Sequence, residues 1–262
     1  MNREEGTIAR EAGSQGKHWT TVHGGYFADP EVARPLVDAA AEAIARRPPT
    51  VVADLGGGTG FILGELLKRQ DCDGLRLVNV DLSARQLAEC CDPRICDLQR
   101  SVTTVSRADL LPDGGSLMFV MRSVLHYLGF DGTRRLLRHL RGQMQPGEFF
   151  VHQTGCFWLG PQRTCFNLLY QRMQTGKWYP LVGELEYLVA REGWEVVAVA
   201  PAPPLRLDSA SLAERYRLTP KQVAAIRDEL AEQYGDLKSV FCPEPDGFTA
   251  WLHYHVLTCQ AI

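Results

Sequence analysis

Residues 51–60, VVADLGGGTG, put a carboxylate just ahead of four glycines in five positions. An apolar run ends in Asp54, a glycine-dense turn follows, and FILGELLKRQ begins directly after it. That order reads as strand, tight loop and helix start. Without Cβ atoms, the loop lets a ligand lie against backbone N–H groups and allows positive φ where the turn needs it. Gly56, Gly58 and Gly60 give G-x-G-x-G, whereas a dinucleotide loop has G-x-G-x-x-G over a pyrophosphate. Asp54 would repel a pyrophosphate and suits a ligand with a cationic amino-acid group. A plain strand–helix connection is the other reading of such a loop.

Two more acidic residues follow in order. Asp81 ends the run LVNV one strand–helix–strand unit later, placed to accept hydrogen bonds from two ribose hydroxyls, with Leu82 next to it to pack on a base. The other role for Asp81 is a helix N-cap. Asp109 stands in SRADLL, either at a third strand end or as an ordinary loop acid. MRSVLHYL, residues 121–128, closes the next strand and carries His126, whose imidazole titrates near neutrality and can accept a proton.

The glycine stretch resembles motif I of the class I S-adenosylmethionine (SAM) methyltransferases, an acidic residue followed by x-G-x-G-x-G. The resemblance implies that Asp54, Gly56, Gly58 and Gly60 cradle the methionine portion of SAM. It further implies that Asp81 holds the ribose with Leu82 on the adenine face, and that Asp109 accepts from the adenine amino group. MRSVLHYL is similar to the M-K-x-x-x-H-D-W run of small-molecule O-methyltransferases of the plant and polyketide-tailoring type. Met121 then belongs with the cofactor-binding residues, and His126 falls on the general base. Tyr127 replaces the acidic residue of that run and Leu128 its tryptophan; a packed, hydrogen-bonded histidine is the competing role for His126. No N-P-P-Y/F-type motif follows the fourth strand, where Met121-Arg122-Ser123-Val124 stands. This disfavours DNA, glutamine or adenine N-methylation.

Several side chains could shape an acceptor cavity or merely fill the core: His23, Tyr26, His152, Trp158 and Tyr170. His253 and His255 share a strand face with Trp251, as a metal pair or simply as one side of a strand. Arg134, Arg135, Arg138, His139 and Arg141 make a basic helix run, as a solvated face or a phosphate-binding surface. The eight cysteines lack C-x-x-C pairs, so free thiols are expected; Cys90, Cys91 and Cys96 form the one dense cluster, incidental or soft-metal binding.

The elements that must position these groups alternate. Strands are expected at 51–54, 75–80, 102–106, 117–121, 148–153 and 194–200, with a last one in DGFTAWLHYHVLTC. Helices are expected between them. A Rossmann-like α/β fold follows, with a seven-stranded, mostly parallel sheet, an antiparallel last strand and helices on both faces. Residues 1–48 form an N-terminal turn and helix covering the site. Residues 49–262 form the SAM-binding domain, with a helical insertion at about 201–245 placed before the last strand.

Hydrophobic residues make up 45% of the 262, enough for a sizeable core, and the formal net charge is −3. That balance disfavours non-specific nucleic-acid binding. The polar N-terminus has no apolar signal core, and no run of 18 apolar residues occurs. A cytoplasmic protein with no membrane partner is expected; a homodimer through the N-terminal helix is the one assembly suggested. The expected activity is methyl transfer from SAM to a small metabolite, at a hydroxyl oxygen. An RNA- or protein-directed methyltransferase and a non-catalytic SAM-binding scaffold are the alternatives. The sequence leaves the acceptor and the methylated element open.

Overall fold

The structure, a computed structural model, describes residues 22–69, 72 and 74–262. Among these residues the strands are β1 (Val51–Leu55), β2 (Arg76–Asp81), β3 (Ile95–Gln99), β4 (Leu117–Arg122), β5 (Phe149–Gly155), β6 (Trp194–Asp208), β7 (Phe241–Glu244) and β8 (Gly247–Ala261). They form one sheet in the order β3-β2-β1-β4-β5-β8-β6, with β7 added to β8 as a hairpin. β1 to β5 pair in parallel, while β8 runs antiparallel to β5 and to β6. This is the expected mostly parallel α/β sheet with an antiparallel last strand; β7 makes it eight-stranded.

β1 is central, and all five of its residues are buried. A strand covered on both faces reads as a continuous apolar run rather than an alternating one. Val51, Ala53 and Leu55 face one core layer, shared with helices Gly129–Gly142 and Val182–Arg191. Val52 faces the other, shared with α1 (Pro30–Arg46) and α2 (Phe61–Arg69). Asp29 caps α1 by accepting from the Glu31 N–H, with Pro30 in the first turn, a favoured helix start. The apolar stripe Ala33, Leu36, Val37, Ala40 and Ile44 is buried inside the chain against the sheet.

Two expectations shift. The third strand is Ile95–Gln99, not 102–106, where turn residues lead into a short helix, Arg107–Leu110. β3 is an edge strand with only Ile95 fully buried, so it lacks the apolar signature that marks inner strands. β6 runs on through Pro201-Ala202-Pro203-Pro204 to Asp208, with a register irregularity between Ala202 and Leu205. An edge strand tolerates proline where a central one does not. Helices Ser209–Tyr216 and Pro220–Tyr234 follow and, with helix Gly160–Arg172, enclose a third, aromatic-rich core layer.

The basic run on helix Gly129–Gly142 is largely tied down. Arg134 and Arg138 both bind Glu192, at 2.9 and 2.7 Å, and Arg141 donates to the Gly193 carbonyl. No described helix is long and apolar enough to cross a membrane.

Candidate functional site

The carboxyl ends of β1, β2 and β4 open into a cavity of about 1090 Å³, counting its mouth. Ligands of parallel α/β sheets bind at this edge, where the strand order reverses; here β1 is flanked by β2 on one side and β4 on the other.

The glycine loop forms the floor. Gly56 and Gly57 both donate to the Val80 carbonyl, which locks the loop onto β2. Gly56 sits at φ +75°, and a Cβ there would lie 2.7 Å from Val124. At Gly57 the constraint is space alone. A Cβ would collide with Asn79 Oδ1 and lie 2.6 Å from Asp54 Oδ2, so a carboxylate and an amide oxygen converge on one spot.

Both oxygens of Asp54 and Oδ1 of Asn79 are buried without a hydrogen-bond partner. Burial, with the Asp81 charge adding to it and Arg122 opposing it, raises the Asp54 carboxyl to about 7. A buried acid with unmet acceptors beside a cavity is poised for a cation or a hydrogen-bond donor.

Asp81 stands at the rim. One oxygen accepts from the Gly58 N–H at 3.0 Å and the other from the Ser83 N–H at 2.8 Å. Burial raises its pKa against these bonds. An ionised carboxylate has about four acceptor positions, so both oxygens retain capacity for ligand hydroxyls. Leu82, half exposed beside it, lines the cavity.

Of the sequence-derived residues, Asp54, Gly56, Gly58, Asp81 and Leu82 therefore meet around one cavity. Gly60, Asp109, Met121 and His126 are not in its lining. Gly60 closes the loop against Cys90 Sγ. Met121 is fully buried in the core layer under β4. Asp109 forms a capping box with Ser106 and pairs with Arg100 at 3.6 Å; the Ser106 hydrogen bonds lower its pKa. Its displacement follows from the shifted third strand. With β3 ending at Gln99, the loop that reaches the cavity carries Ser101 and Val102, and Asp109 lies in the short helix after it.

His126 lies in a 3-10 turn, Leu125–Tyr127, and is 4% exposed. Its ring stacks on Tyr179 at 5.3 Å, and Nδ1 has no hydrogen-bond partner. Burial, then the charges of Lys177 and Arg215, push its pKa well below the usual histidine range, so it is neutral at physiological pH. The next residue, Tyr127, is the one in the cavity wall.

Three lining residues escape the motif reading. Arg122 ends β4, and burial lowers its pKa. It donates to the Phe27 and Tyr26 carbonyls, both at 3.2 Å, holding the 3-10 turn Val22–Ala28 over the cavity, where Phe27 joins the lining. Ser123 adopts φ 60° and donates to the Tyr254 hydroxyl at 2.8 Å. A non-glycine residue in this region is a strained feature that clusters at functional sites. Gln86 reaches the Gly58 side of the loop. Arg122 and Ser123 stood inside the MRSVLHYL run, but nothing in the sequence signalled that they face the cavity.

Of the other singled-out side chains, Tyr26 donates to the Pro203 carbonyl and stacks on Tyr254. His152 bonds Thr154, and burial lowers its pKa to about 3. His253 meets the Ser239 carbonyl, and His255 meets the Cys156 thiol. The side chain of His23 lies outside the described residues.

Comparison with solved structures agrees with this topology. The 1,6-didemethyltoxoflavin-N1-methyltransferase of Burkholderia thailandensis, with 1,6-didemethyltoxoflavin and S-adenosylhomocysteine bound, superimposes with TM-score 0.59 at 19% identity, covering 100% of this chain and 90% of its own. A putative methyltransferase from Bacillus halodurans gives 0.65 at 9% identity, over 87% and 98% of the two chains. The chain has the class I SAM-methyltransferase fold. The N-methyltransferase NodS of Bradyrhizobium japonicum, with S-adenosylhomocysteine bound, aligns over 99% of both chains at TM-score 0.55 and 12% identity. No family model matches the sequence, and no curated protein does. At these identities the likeness speaks for the methyltransferase fold alone.

Proposed function

We propose that the protein transfers a methyl group from SAM to a hydroxyl oxygen of a small acceptor. The observation that carries this reading is Asp54: a fully buried carboxylate with both oxygens unpartnered, over a glycine loop, with a second carboxylate at the rim. That pairing suits a ligand with an ammonium at one end and a ribose at the other. It does not suit a pyrophosphate, which would meet two negative groups.

The residues fit SAM. Asp54 and the Gly56–Gly58 backbone would hold its amino-acid portion, Asp81 its ribose, and Leu82 with Val102 its base. SAM supplies a methyl group already activated by a sulfonium. The chain's own share is then alignment and exclusion of water, worth several orders of magnitude when the reacting atoms are held in line. Arg122 fastens the Tyr26–Phe27 turn across the cavity, and Ser123, Val124, Tyr127 and Leu128 belong to the same lining.

The test is calorimetric titration with S-adenosylhomocysteine, with NADH as control. Saturable one-to-one binding that is lost in Asp81→Ala is the expected result. Binding of NADH instead, or no binding of S-adenosylhomocysteine at millimolar concentration, refutes the proposal.

A further inference from the structure

Beneath the glycine loop two acceptors meet with no donor between them. Asp54 and Asn79 are paired positions on neighbouring parallel strands, so their side chains stand on one face of the sheet. Asp54 Oδ2 and Asn79 Oδ1 converge on the space where a Gly57 Cβ would stand. Both residues are fully buried, and neither of these oxygens nor Asp54 Oδ1 has a hydrogen-bond partner. Turning the Asn79 amide over does not relieve this. Its Nδ2 donates to the Gly58 carbonyl at 3.0 Å and to Asp97 Oδ1 at 3.1 Å. The reversed amide would set an oxygen against both of those acceptors.

The charged and titratable groups around this pair give an ionised Asp54 little support. Asp81, at the end of β2, adds a second negative charge at the rim. Asp97 on β3 stands on the far side of Asn79. Cys90, which closes on Gly60, is held as a neutral thiol by burial and by the Asp97 charge. Arg122, at the end of β4, is the opposing cation. Its guanidinium donates to the Tyr26 and Phe27 carbonyls and bonds neither Asp54 oxygen, and Asp29 also draws on its charge. A buried carboxylate without hydrogen bonds is costly, and such a group neutralises by taking a proton.

We infer that the empty site holds a proton on Asp54, directed at Asn79 Oδ1, and that the ammonium of the cofactor displaces it. This rests on the methyltransferase reading and deepens it: cofactor binding exchanges one positive charge for another and releases a proton to bulk water. As a neutral acid, Asp54 carries the one O–H donor that the Asn79 oxygen lacks. When an ammonium enters, its N–H groups take over as donors to the carboxyl, and the O–H bond breaks. An opposite charge at contact range lowers a carboxyl pKa by about 1–3 units. Asn79 does not line the cavity. It is a positioning residue that acts through Asp54, keeping the acid neutral until the ligand arrives. The consequence is selectivity. A ligand with a cationic amino-acid end meets a carboxylate, whereas a nucleoside without one meets a neutral acid and leaves the proton in place.

The experiment is calorimetry of the full chain with S-adenosylhomocysteine at pH 6 and pH 8, in buffers of different ionisation enthalpy, which counts the protons released. With Asp54 raised to about 7, binding should release about half to one proton at pH 6 and about a tenth at pH 8. Burial keeps His126 and His152 neutral at pH 6, so they add nothing to the count. 5′-Methylthioadenosine, which has the nucleoside without the amino-acid end, should bind with no proton released, as should S-adenosylhomocysteine on Asp54→Asn at higher ligand concentration. A second measurement needs no ligand. The infrared difference between empty wild type and Asp54→Asn at pH 6 should show the C=O stretch of a protonated carboxylic acid, and Asn79→Ala should move the midpoint of that band to lower pH. No proton release with S-adenosylhomocysteine at pH 6, equal release with 5′-methylthioadenosine, no protonated-acid band in the empty protein, or an unmoved midpoint in Asn79→Ala overturns the inference. Failure of the methyltransferase reading is distinguishable, because it appears as absence of S-adenosylhomocysteine binding while the empty protein still shows the band.

Discussion

Replacing Asp54 by Asn should stabilise the unliganded protein at neutral and alkaline pH and weaken its binding of S-adenosylhomocysteine. The carboxyl is raised from 3.8 to about 7, with burial the leading cause. The folded state therefore binds this proton more tightly than the unfolded state does. Its contribution to stability is intact below pH 3.8, declines as the pH rises, and is fully lost above about 7. A tenfold change in acidity corresponds to about 1.4 kcal/mol, so the ionised carboxylate costs the empty protein about 4 kcal/mol at alkaline pH. About 2 kcal/mol of this is already lost at pH 5, which leaves about 2–3 kcal/mol between pH 5 and pH 8. An amide does not titrate. Urea unfolding of both proteins, followed by tryptophan fluorescence, should show Asp54→Asn gaining about 2–3 kcal/mol on the wild type over that interval, whatever pH-independent offset the amide brings. Calorimetry should show S-adenosylhomocysteine binding at least tenfold weaker in the variant. A stability gap that is the same at both pH values would refute the claim that the buried charge is a cost. Unchanged affinity would refute the claim that a ligand cation repays it.

Gly57→Ala places a methyl group against Asn79 Oδ1 and Asp54 Oδ2; S-adenosylhomocysteine affinity should fall at least tenfold, while α2 and the sheet remain folded by circular dichroism. Asp109→Ala removes half of a capping box, which should cost about 1 kcal/mol in urea unfolding and leave S-adenosylhomocysteine affinity within twofold; a large loss of affinity would return Asp109 to the cofactor site.

The local signals in this sequence concern backbone, and they carried the fold far. The short apolar run Val51–Ala53 ahead of Asp54 reads as an inner strand once a glycine turn and a helical pattern follow it, and four glycines after Asp54 read as a turn without side-chain walls. Parallel pairing then sets Asp54 opposite Asn79, with Asp81 two residues on, at the carboxyl end of the sheet; Asp54 and Asp81 were legible from spacing, and Asn79 was not. The edge strands were not. β3 buries Ile95 and little else, so its polar residues show no periodicity, and the third acid was assigned to a strand end that lies elsewhere. β6 absorbs three prolines because, among the described residues, no strand pairs with its outer side, a freedom that proline content alone hides.

What only the tertiary structure decided is which face each side chain of the β4 end presents. In MRSVLHYL the sequence weighed His126, but the positive φ of Ser123 and the 3-10 turn after it bury His126 and turn Tyr127 to the cavity. The same holds for Lys177. Its meeting with Tyr127, Tyr170 and Tyr216 joins segments far apart in the chain, and no local pattern encodes contacts of that range. The sequence determined the glycine-loop end of the cavity, because a loop's backbone is specified by its own residues. The wall after β4 is built by packing between distant elements, so only the folded chain displays it.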